Sequence, residues 1–457
     1  MTTELSSDPI ETLRGAVRGP VLTAADAGYD EARHVWNGMI DRHPPLIVRA
    51  TGNADVIAAV NYARENGLPV SVKGGGHSAA GSAVSDSAVM IDLSLMNGVF
   101  VDPKAQTARV QGGATWGIFD RECQVHGLAT TGGVISTTGV GGLTLGGGFG
   151  WLLGKHGLAV DNLLSCEVVT AGGQVLTASA TENEDLFWAL RGGSGNFGIV
   201  TSFEFRVHPV GPIVTGGLAA WPIDAAAGAL DFYKGYIETT PDELTAFFVQ
   251  AGAPDGSGNF ICAVIALHAG SLDEGARLVQ PIKDYGPPML DALGPIPYVA
   301  QQSMLDAGFP AGNQVYWKGT FLRELSAGAM EVLVAQGAKL PTPLCGLVLE
   351  NFHGAVNRVP VEATAFAQRG AAFNVAIVGQ WQEASDADRC IAWARETFDA
   401  LQPFSTGGVY VNYLGVGDDT SRVRDAFGPN YERLSAIKQQ YDPSNLFRAN
   451  QNIAPKG

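Results

Sequence analysis

Apolar positions in the first half of the chain switch between two periods. Short, mostly apolar runs at residues 46–48, 69–72 and 89–93 predict strands. Between the first two, Val56, Ile57, Val60 and Ala63 share one helical face, with a start at Asn53 or Ala54 and Gly67 suited to the C-terminal cap. Residues 46–73 therefore predict strand, helix, strand. A second pass predicts a strand over 108–111 and a helix over 116–126 that stops at Gly127. Residues 163–170 and 175–178 predict a hairpin around Gly172-Gly173. Thr181 and Glu184 have capping-box spacing for a helix through Leu190. Residues 199–207 alternate, with Thr201, Phe203, Phe205 and Val207 on one face and Ser202, Glu204 and Arg206 on the other. The texture changes after Pro209-Val210-Gly211-Pro212. From there to about Leu414, strands and helices mix with fewer glycines, which predicts a second, α+β domain. The tail from Arg422 reads as one amphipathic helix ending at Tyr441-Asp442-Pro443.

A length of 457 residues exceeds one ordinary core and supports two domains. The 46% apolar and 16% charged content suits a globular protein. A formal charge of −16 and a pI near 4.9, with no Lys/Arg cluster, argue against nucleic acid and anionic membrane as partners. Residues 1–11 are polar and acidic, without a signal-peptide pattern. Residues 123–154 carry no formal charge, but glycines interrupt them, so they predict a buried ligand loop and no membrane span. Five scattered cysteines without a CxxC suggest neither a disulfide framework nor a zinc site, and the cytoplasm is the expected compartment. Nothing in the pattern sets an oligomeric state.

The chain has 59 glycines, and three glycine-rich loops stand out, at residues 74–76, 139–150 and 192–198. In Lys73-Gly74-Gly75-Gly76-His77-Ser78 a strand runs into three glycines and a histidine. Successive N–H groups in such a turn can form an anion-binding nest, and glycine allows close approach to a ligand. A histidine after a glycine turn also fits an ordinary surface or core position. Gly193-Ser194-Gly195-Asn196-Phe197-Gly198 matches G-x-G-x-x-G, but it follows a helix and opens a strand, the reverse of a Rossmann fingerprint. No P-loop, nucleophile elbow or paired-histidine spacing occurs, so no metal is expected. One such loop would serve as a tight turn. Three point to one long ligand lined by backbone, such as FAD.

Together the motifs resemble the vanillyl-alcohol-oxidase and p-cresol-methylhydroxylase (PCMH) superfamily, and within it the berberine-bridge-enzyme-like oxidases. The resemblance rests on Val72 to Ser78, Met90-Ile91-Asp92-Leu93-Ser94, Val110-Gln111-Gly112-Gly113-Ala114, Gly139-Val140-Gly141-Gly142 and Gly146-Gly147-Gly148-Phe149-Gly150. It continues through Gly157-Leu158-Ala159-Val160-Asp161-Asn162, Asp185-Leu186-Phe187-Trp188, Tyr410-Val411-Asn412-Tyr413 and Tyr441-Asp442-Pro443-Ser444-Asn445. It implies a two-domain PCMH-type α+β fold. Residues 1–211 and 415–457 would bind FAD, and residues 212–414 would form an antiparallel sheet that roofs the flavin.

The resemblance further implies that His77 is bonded covalently to FAD, which would strengthen the flavin as an oxidant and prevent its loss. Many relatives carry a second, cysteinyl tether. Here Ile135 holds that position, so a thioether is impossible and a single link through His77 is expected. The resemblance places Lys73, Gly74, Gly75, Gly76, Ser78, Ile135, Thr138, Gly139, Gly141, Gly142, Gly148, Gly198, Ile199, Val200, Asn450 and Asn452 at the cofactor. Thr138 falls where relatives gate oxygen with a small side chain. Its hydroxyl can equally steady an oxygen adduct, or bond only its own backbone. A strand over 409–414 would put Tyr410 and Tyr413 on opposite faces unless it bulges, so one of them is expected to face the flavin; the resemblance favours Tyr413 as the base, with Tyr410 packing or positioning. An unperturbed tyrosine titrates near ~10, so a cation is needed, and Lys318 is the candidate, although it also suits a solvated surface. Glu350 and His353 suit acid–base or structural roles, and Tyr316, Trp317 and Trp381 suit either pocket or core. The expected reaction is hydride transfer from an alcohol or amine C–H of a small molecule, with O2 as acceptor and H2O2 as product. A flavin-dependent oxygenase of natural-product tailoring and a non-catalytic flavin-binding protein are the alternatives.

Overall fold

The computed structural model describes residues 7–418 and 420–457. Among the described residues, four sheets are built from nineteen strands. The first sheet orders Val21–Leu22, Leu46–Arg49, Val89–Asp92 and Val70–Lys73, with the last three parallel. Helix Asn53–Glu65 makes the crossover between Leu46–Arg49 and Val70–Lys73, and Gly67, at φ 65°, ends it as its cap position requires. A five-stranded antiparallel sheet orders Val99–Asp102, Thr107–Gln111, Ile199–Arg206, Leu163–Val169 and Val175–Ser179. Its hairpin turns at Gly173, φ 77°.

The largest sheet is antiparallel. From edge to edge it runs Leu290–Asp291, Ile213–Pro222, Phe260–His268, Leu244–Gly252, Gly346–Asn351, Phe373–Trp381 and Gln314–Leu322, with Gly294–Pro297 also paired to Ile213–Pro222. Helices Ala226–Ile237, Ala327–Gly337 and Ala387–Leu401 cover one face, where Tyr233, Leu333 and Trp393 share a core with Phe248, Leu347, Leu349, Val375 and Ile377. The period-two alternation sends Phe247, Val249, Val348, Glu350 and Ala376 to the opposite face. That face looks toward the glycine loops across a cavity.

Three local expectations differ from the structure. The stretch predicted as a strand over 409–414 is a 3-10 turn at Val411–Tyr413. Asn183, at φ 47°, heads helix Glu184–Leu190 without a side-chain cap, so the capping box from Thr181 does not form; the Thr181 N–H instead meets Ser179 Oγ. The tail is two helices, Thr420–Phe427 and Tyr431–Tyr441, because Gly428 takes φ 48° and Pro429 lacks an N–H to continue the ladder.

The tail closes back on the first domain through a buried ion pair. Lys438 Nζ lies 2.7 Å from Asp442 and donates to the carbonyls of Asn196 and Phe447. Asp442 in turn accepts the N–H groups of Leu446 and Phe447. This holds residues 445–451 against the loop at 192–198.

Candidate active site

Two of the glycine loops, at 74–76 and 139–150, meet backbone to backbone with Gly112 between them. A Cβ on Gly75 would stand 2.4 Å from Gly139 N, one on Gly74 2.9 Å from Gly112 O, and one on Gly141 3.1 Å from the same oxygen. A side chain is therefore excluded at Gly74 and Gly75, and there the cavity wall is main chain. Gly76 takes φ 68°, which turns the chain toward His77. Among the described residues, the N–H groups of Gly75, Gly76, His77 and Ser78 have no protein hydrogen-bond partner. Ser71 Oγ and Asn450 Oδ1, also on this wall, are buried and unpartnered. The cavity holds about 1900 Å³ of empty space, partly open to solvent. Among the described residues, Glu350 is the only Asp, Glu, Lys or Arg on its wall.

His77 stands at the lip of the glycine wall. Its ring stacks on Trp36, with centroids 4.6 Å apart and planes at 18°. Its Nε2 lies 2.9 Å from Thr137 Oγ1. Burial pushes its pKa down to about 4, so the imidazole is neutral and keeps a lone pair. Trp36 also reaches the other half of the molecule, where its indole N–H donates to Phe309 O at 2.9 Å. Asn37 beside it donates to Ala79 O and Val315 O.

The opposite wall is the sheet face and the 3-10 turn. In that turn residues three apart eclipse, so Tyr410 and Tyr413 both face the cavity, with ring centroids 5.0 Å apart. The Tyr410 hydroxyl accepts from Gly148 N–H at 3.0 Å and from Asn412 Nδ2 at 2.7 Å. The Tyr413 hydroxyl donates to Glu350 Oε1 at 2.7 Å, and Asn374 Nδ2 donates to Glu350 Oε2 at 2.5 Å. Burial raises the Glu350 carboxyl to about 8. Burial, and then the neighbouring carboxylate, raise Tyr413 well above the usual phenol range. The proton of this pair therefore sits on Tyr413, and Glu350 is the member that titrates near physiological pH.

Residues 44–179 match the family described as FAD binding domain, and residues 409–454 match that described as Berberine and berberine like. An FAD-linked oxidoreductase of Dictyostelium discoideum is 31% identical over 92% of this chain and 91% of its own length. The (R)-6-hydroxynicotine oxidase of Paenarthrobacter nicotinovorans is 30% identical over 97% of this chain and 98% of its own. The chain is a berberine-like FAD-linked oxidoreductase. Its fold agrees with the crystal structure of 6-hydroxy-D-nicotine oxidase from Arthrobacter nicotinovorans, at TM-score 0.88 and 28% identity over 99% of this chain and all of that one. The two-domain α+β fold is thus that of the PCMH-type, berberine-like oxidases.

The residues of this oxidoreductase fit FAD. A diphosphate needs donors, and the unpartnered N–H groups of residues 75–78 supply them without a Lys or Arg on the wall. Ser71 and Asn450 offer further polar partners along a long ligand. Gly74, Gly75, Gly76, Ser78, Ile135, Thr138, Gly139, Gly141, Gly142, Gly198, Ile199, Val200 and Asn450 all line the cavity. Three residues expected at the cofactor do not. Lys73 points behind the loop, where its Nζ donates to Ala32 O and His34 O and braces the turn. Gly148 acts one step back, through its N–H on Tyr410. Asn452 lies beyond the wall that Asn450 reaches.

Lys318 does not approach Tyr413. Trp317 faces the cavity, so its neighbour on strand Gln314–Leu322 faces the helices. There Lys318 pairs with Asp418 and lies over the rings of Tyr316 and Phe398. Tyr316 and Trp381 share that helix-side core, and His353 packs against Gly154 outside the cavity. The residues missed from sequence are Trp36, Thr137 and Asn374. Asn374 shows a usable signal, as one of two amides in the otherwise apolar strand Phe373–Trp381, directly across from Glu350. Trp36 shows none, because its contacts lie far along the chain.

Proposed function

We propose that this oxidoreductase is an oxidase that removes a hydride from the carbon bearing an alcohol or amine group of a small molecule. Bound FAD would accept that hydride and pass the electrons to O2, releasing H2O2. The observation that carries the proposal is the hydrogen-bonded Tyr413–Glu350 pair facing a glycine wall and His77 across one cavity. A full-length relative named as an oxidase of 6-hydroxynicotine supports the same assignment.

The chain's own groups then have defined tasks. Tyr413 takes the O–H or N–H proton of the substrate as its own proton passes to Glu350 Oε1 over 2.7 Å. Asn374 keeps the second carboxylate oxygen satisfied, which fixes Oε1 toward the phenol. Tyr410, held by Gly148 and Asn412, positions the substrate. His77, neutral and steadied by Trp36 and Thr137, holds the cofactor covalently, and Ile135 leaves it as the single link. Thr138 offers a small side chain on the oxygen side.

Anaerobic mixing with candidate alcohols and amines tests the assignment. Bleaching of the flavin, followed by peroxide on readmitting air, is the expected result; a flavin that no such compound reduces would overturn it. Acid-precipitated wild-type protein should stay yellow and His77→Ala should lose its colour, whereas a colourless wild-type pellet removes the tether.

A further inference from the structure

We infer that Cys345 and Cys390 are a dithiol that hydrogen peroxide converts to a disulfide, which locks helix Ala387–Leu401 to the large sheet. The oxidant is H2O2 from any source, so the pair does not depend on the oxidase assignment. All five cysteines are free and buried. Cys345 and Cys390 stand 45 residues apart in the chain, yet their sulfurs lie 3.6 Å from each other. Cys123, Cys166 and Cys262 have no such neighbour among the described residues.

The sheet register brings the two sulfurs together. Gly346 pairs with Val378 at the start of strand Gly346–Asn351, which sets Cys345 beside Gly379 and Gln380. Helix Ala387–Leu401 packs on the same end of strand Phe373–Trp381, where a Cβ on Gly379 would stand 3.1 Å from Cys390 O. A cysteine that serves only as apolar filling packs against carbon. Cys345 has polar partners instead. The Gln380 N–H donates to its sulfur at 3.5 Å, and Thr342 Oγ1 lies 3.3 Å from it. Thr342 is itself held by Gln380 O at 2.9 Å. The Cys390 S–H beside it draws the Cys345 thiol below the usual cysteine range against the opposing effect of burial, and Cys390 is pushed up in turn. Cys345 is therefore the attacking sulfur and Cys390 the resolving one.

The Cys345 thiolate attacks one oxygen of H2O2 and the O–O bond breaks. The departing hydroxide takes up the proton that Cys345 released, which leaves water and a sulfenic acid. The Cys390 sulfur then attacks the sulfenic sulfur and gives up its own proton. The S–S bond forms as the hydroxyl leaves with that proton as a second water. Two thiols lose two electrons and the two peroxide oxygens gain them. The sulfurs close from 3.6 Å to about 2.05 Å. The new bond closes a loop that contains strand Phe373–Trp381, and such a loop restricts the unfolded chain more than the folded one. Both sulfurs belong to the helix-side core with Leu347 and Ile377, and the cavity lies on the other face of the sheet.

The test treats the flavin-loaded enzyme with H2O2. Thiols titrated after denaturation should fall from five to three, and peptide mapping should find one cross-link, Cys345 to Cys390, that dithiothreitol reverses. The oxidised protein should melt several degrees higher than the reduced one, with its flavin absorbance unchanged. Cys390→Ser should stop at a Cys345 sulfenic acid that dimedone traps; the wild-type cross-link and melting shift decide the matter if that variant does not fold. Five thiols remaining, sulfinic acid at either cysteine without the cross-link, or a complete cross-link that leaves the melting temperature unchanged would each overturn the inference.

Discussion

The two walls of the cavity are built from different material. The wall contributed by residues 74–78, 139–142 and 198–200 is main chain at its glycines, closed to side chains by contacts such as Gly75 to Gly139. The wall contributed by the large sheet is side chain, chosen by strand alternation: Val348 and Glu350 face in, Leu347 and Leu349 face out. A backbone wall recognises whatever offers phosphate and edge groups in a fixed order, and at Gly74, Gly75 and Gly139 it leaves no room for an added atom. A side-chain wall can change its guest by single substitutions without loss of the fold. The comparison assigns cofactor to one wall and chemistry and selectivity to the other.

The largest effect should come from breaking the backbone wall. Gly75→Val would drive its Cβ into Gly139 N, 2.4 Å away, and force the loops apart. The protein should purify without flavin colour, read as the ratio of visible to ultraviolet absorbance. A fully yellow Gly75→Val protein would mean that the glycine contacts do not shape the cofactor site.

On the other wall, Glu350→Gln and Tyr413→Phe should keep the flavin and slow anaerobic reduction by about 10²- to 10⁴-fold, the range for lost general base catalysis. Glu350 must be ionised to receive the proton, so the wild-type rate should rise as pH passes through about 8 and fall below it. The Gln variant should lack that inflection. Flavin loss in either variant would blur the division between the walls.

The same carboxyl predicts a smaller effect on stability. Its pKa is raised from 4.5 in the unfolded chain to about 8 in the fold. Between these values the native state holds the proton and the unfolded state releases it, so this group's stabilising contribution is complete below 4.5 and is lost as pH rises through about 8. Melting temperatures of wild type and Glu350→Gln, compared from pH 5 to 9, should converge or cross in the direction that favours the variant at high pH. A constant difference would show that the carboxyl does not titrate there.

The smallest catalytic effect belongs to Lys318, on the far face of the sheet. Lys318→Met leaves Asp418 without its ion-pair partner and should lower the melting temperature by a few degrees. The rate of flavin reduction and its pH profile should hold within about twofold, since the lysine is separated from Tyr413 by the sheet itself. A shifted pH profile would return Lys318 to the active site.

The backbone wall was legible in the sequence because glycine has few other uses at that density. The run from Lys73 to Ser78 and the loops at 139–142 and 198 carry their geometry in the residue type itself. Lys73 shows the limit. Its place in the motif says nothing of its direction, and it turns away to bond Ala32 and His34. On the sheet wall, Glu350 and Tyr413 were recognisable as reactive types, but their pairing joins residues 350 and 413 and needs both the sheet and the turn. Tyr410 and Tyr413 face one cavity only because the chain there is 3-10 and not extended, which the apolar pattern does not distinguish over so few residues.

By itself the sequence determined the family, the glycine loops, the histidine at their lip and the missing cysteine at Ile135. These depend on residue identity and short spacing, which are local. Only the tertiary structure decided that Glu350 rather than Lys318 partners Tyr413, that Trp36 joins His77 to the substrate side, and that the sheet wall is largely apolar. Those outcomes depend on which face of a strand a residue takes and on which distant segment lies opposite, and both are set when the sheet packs between its helices and the loops.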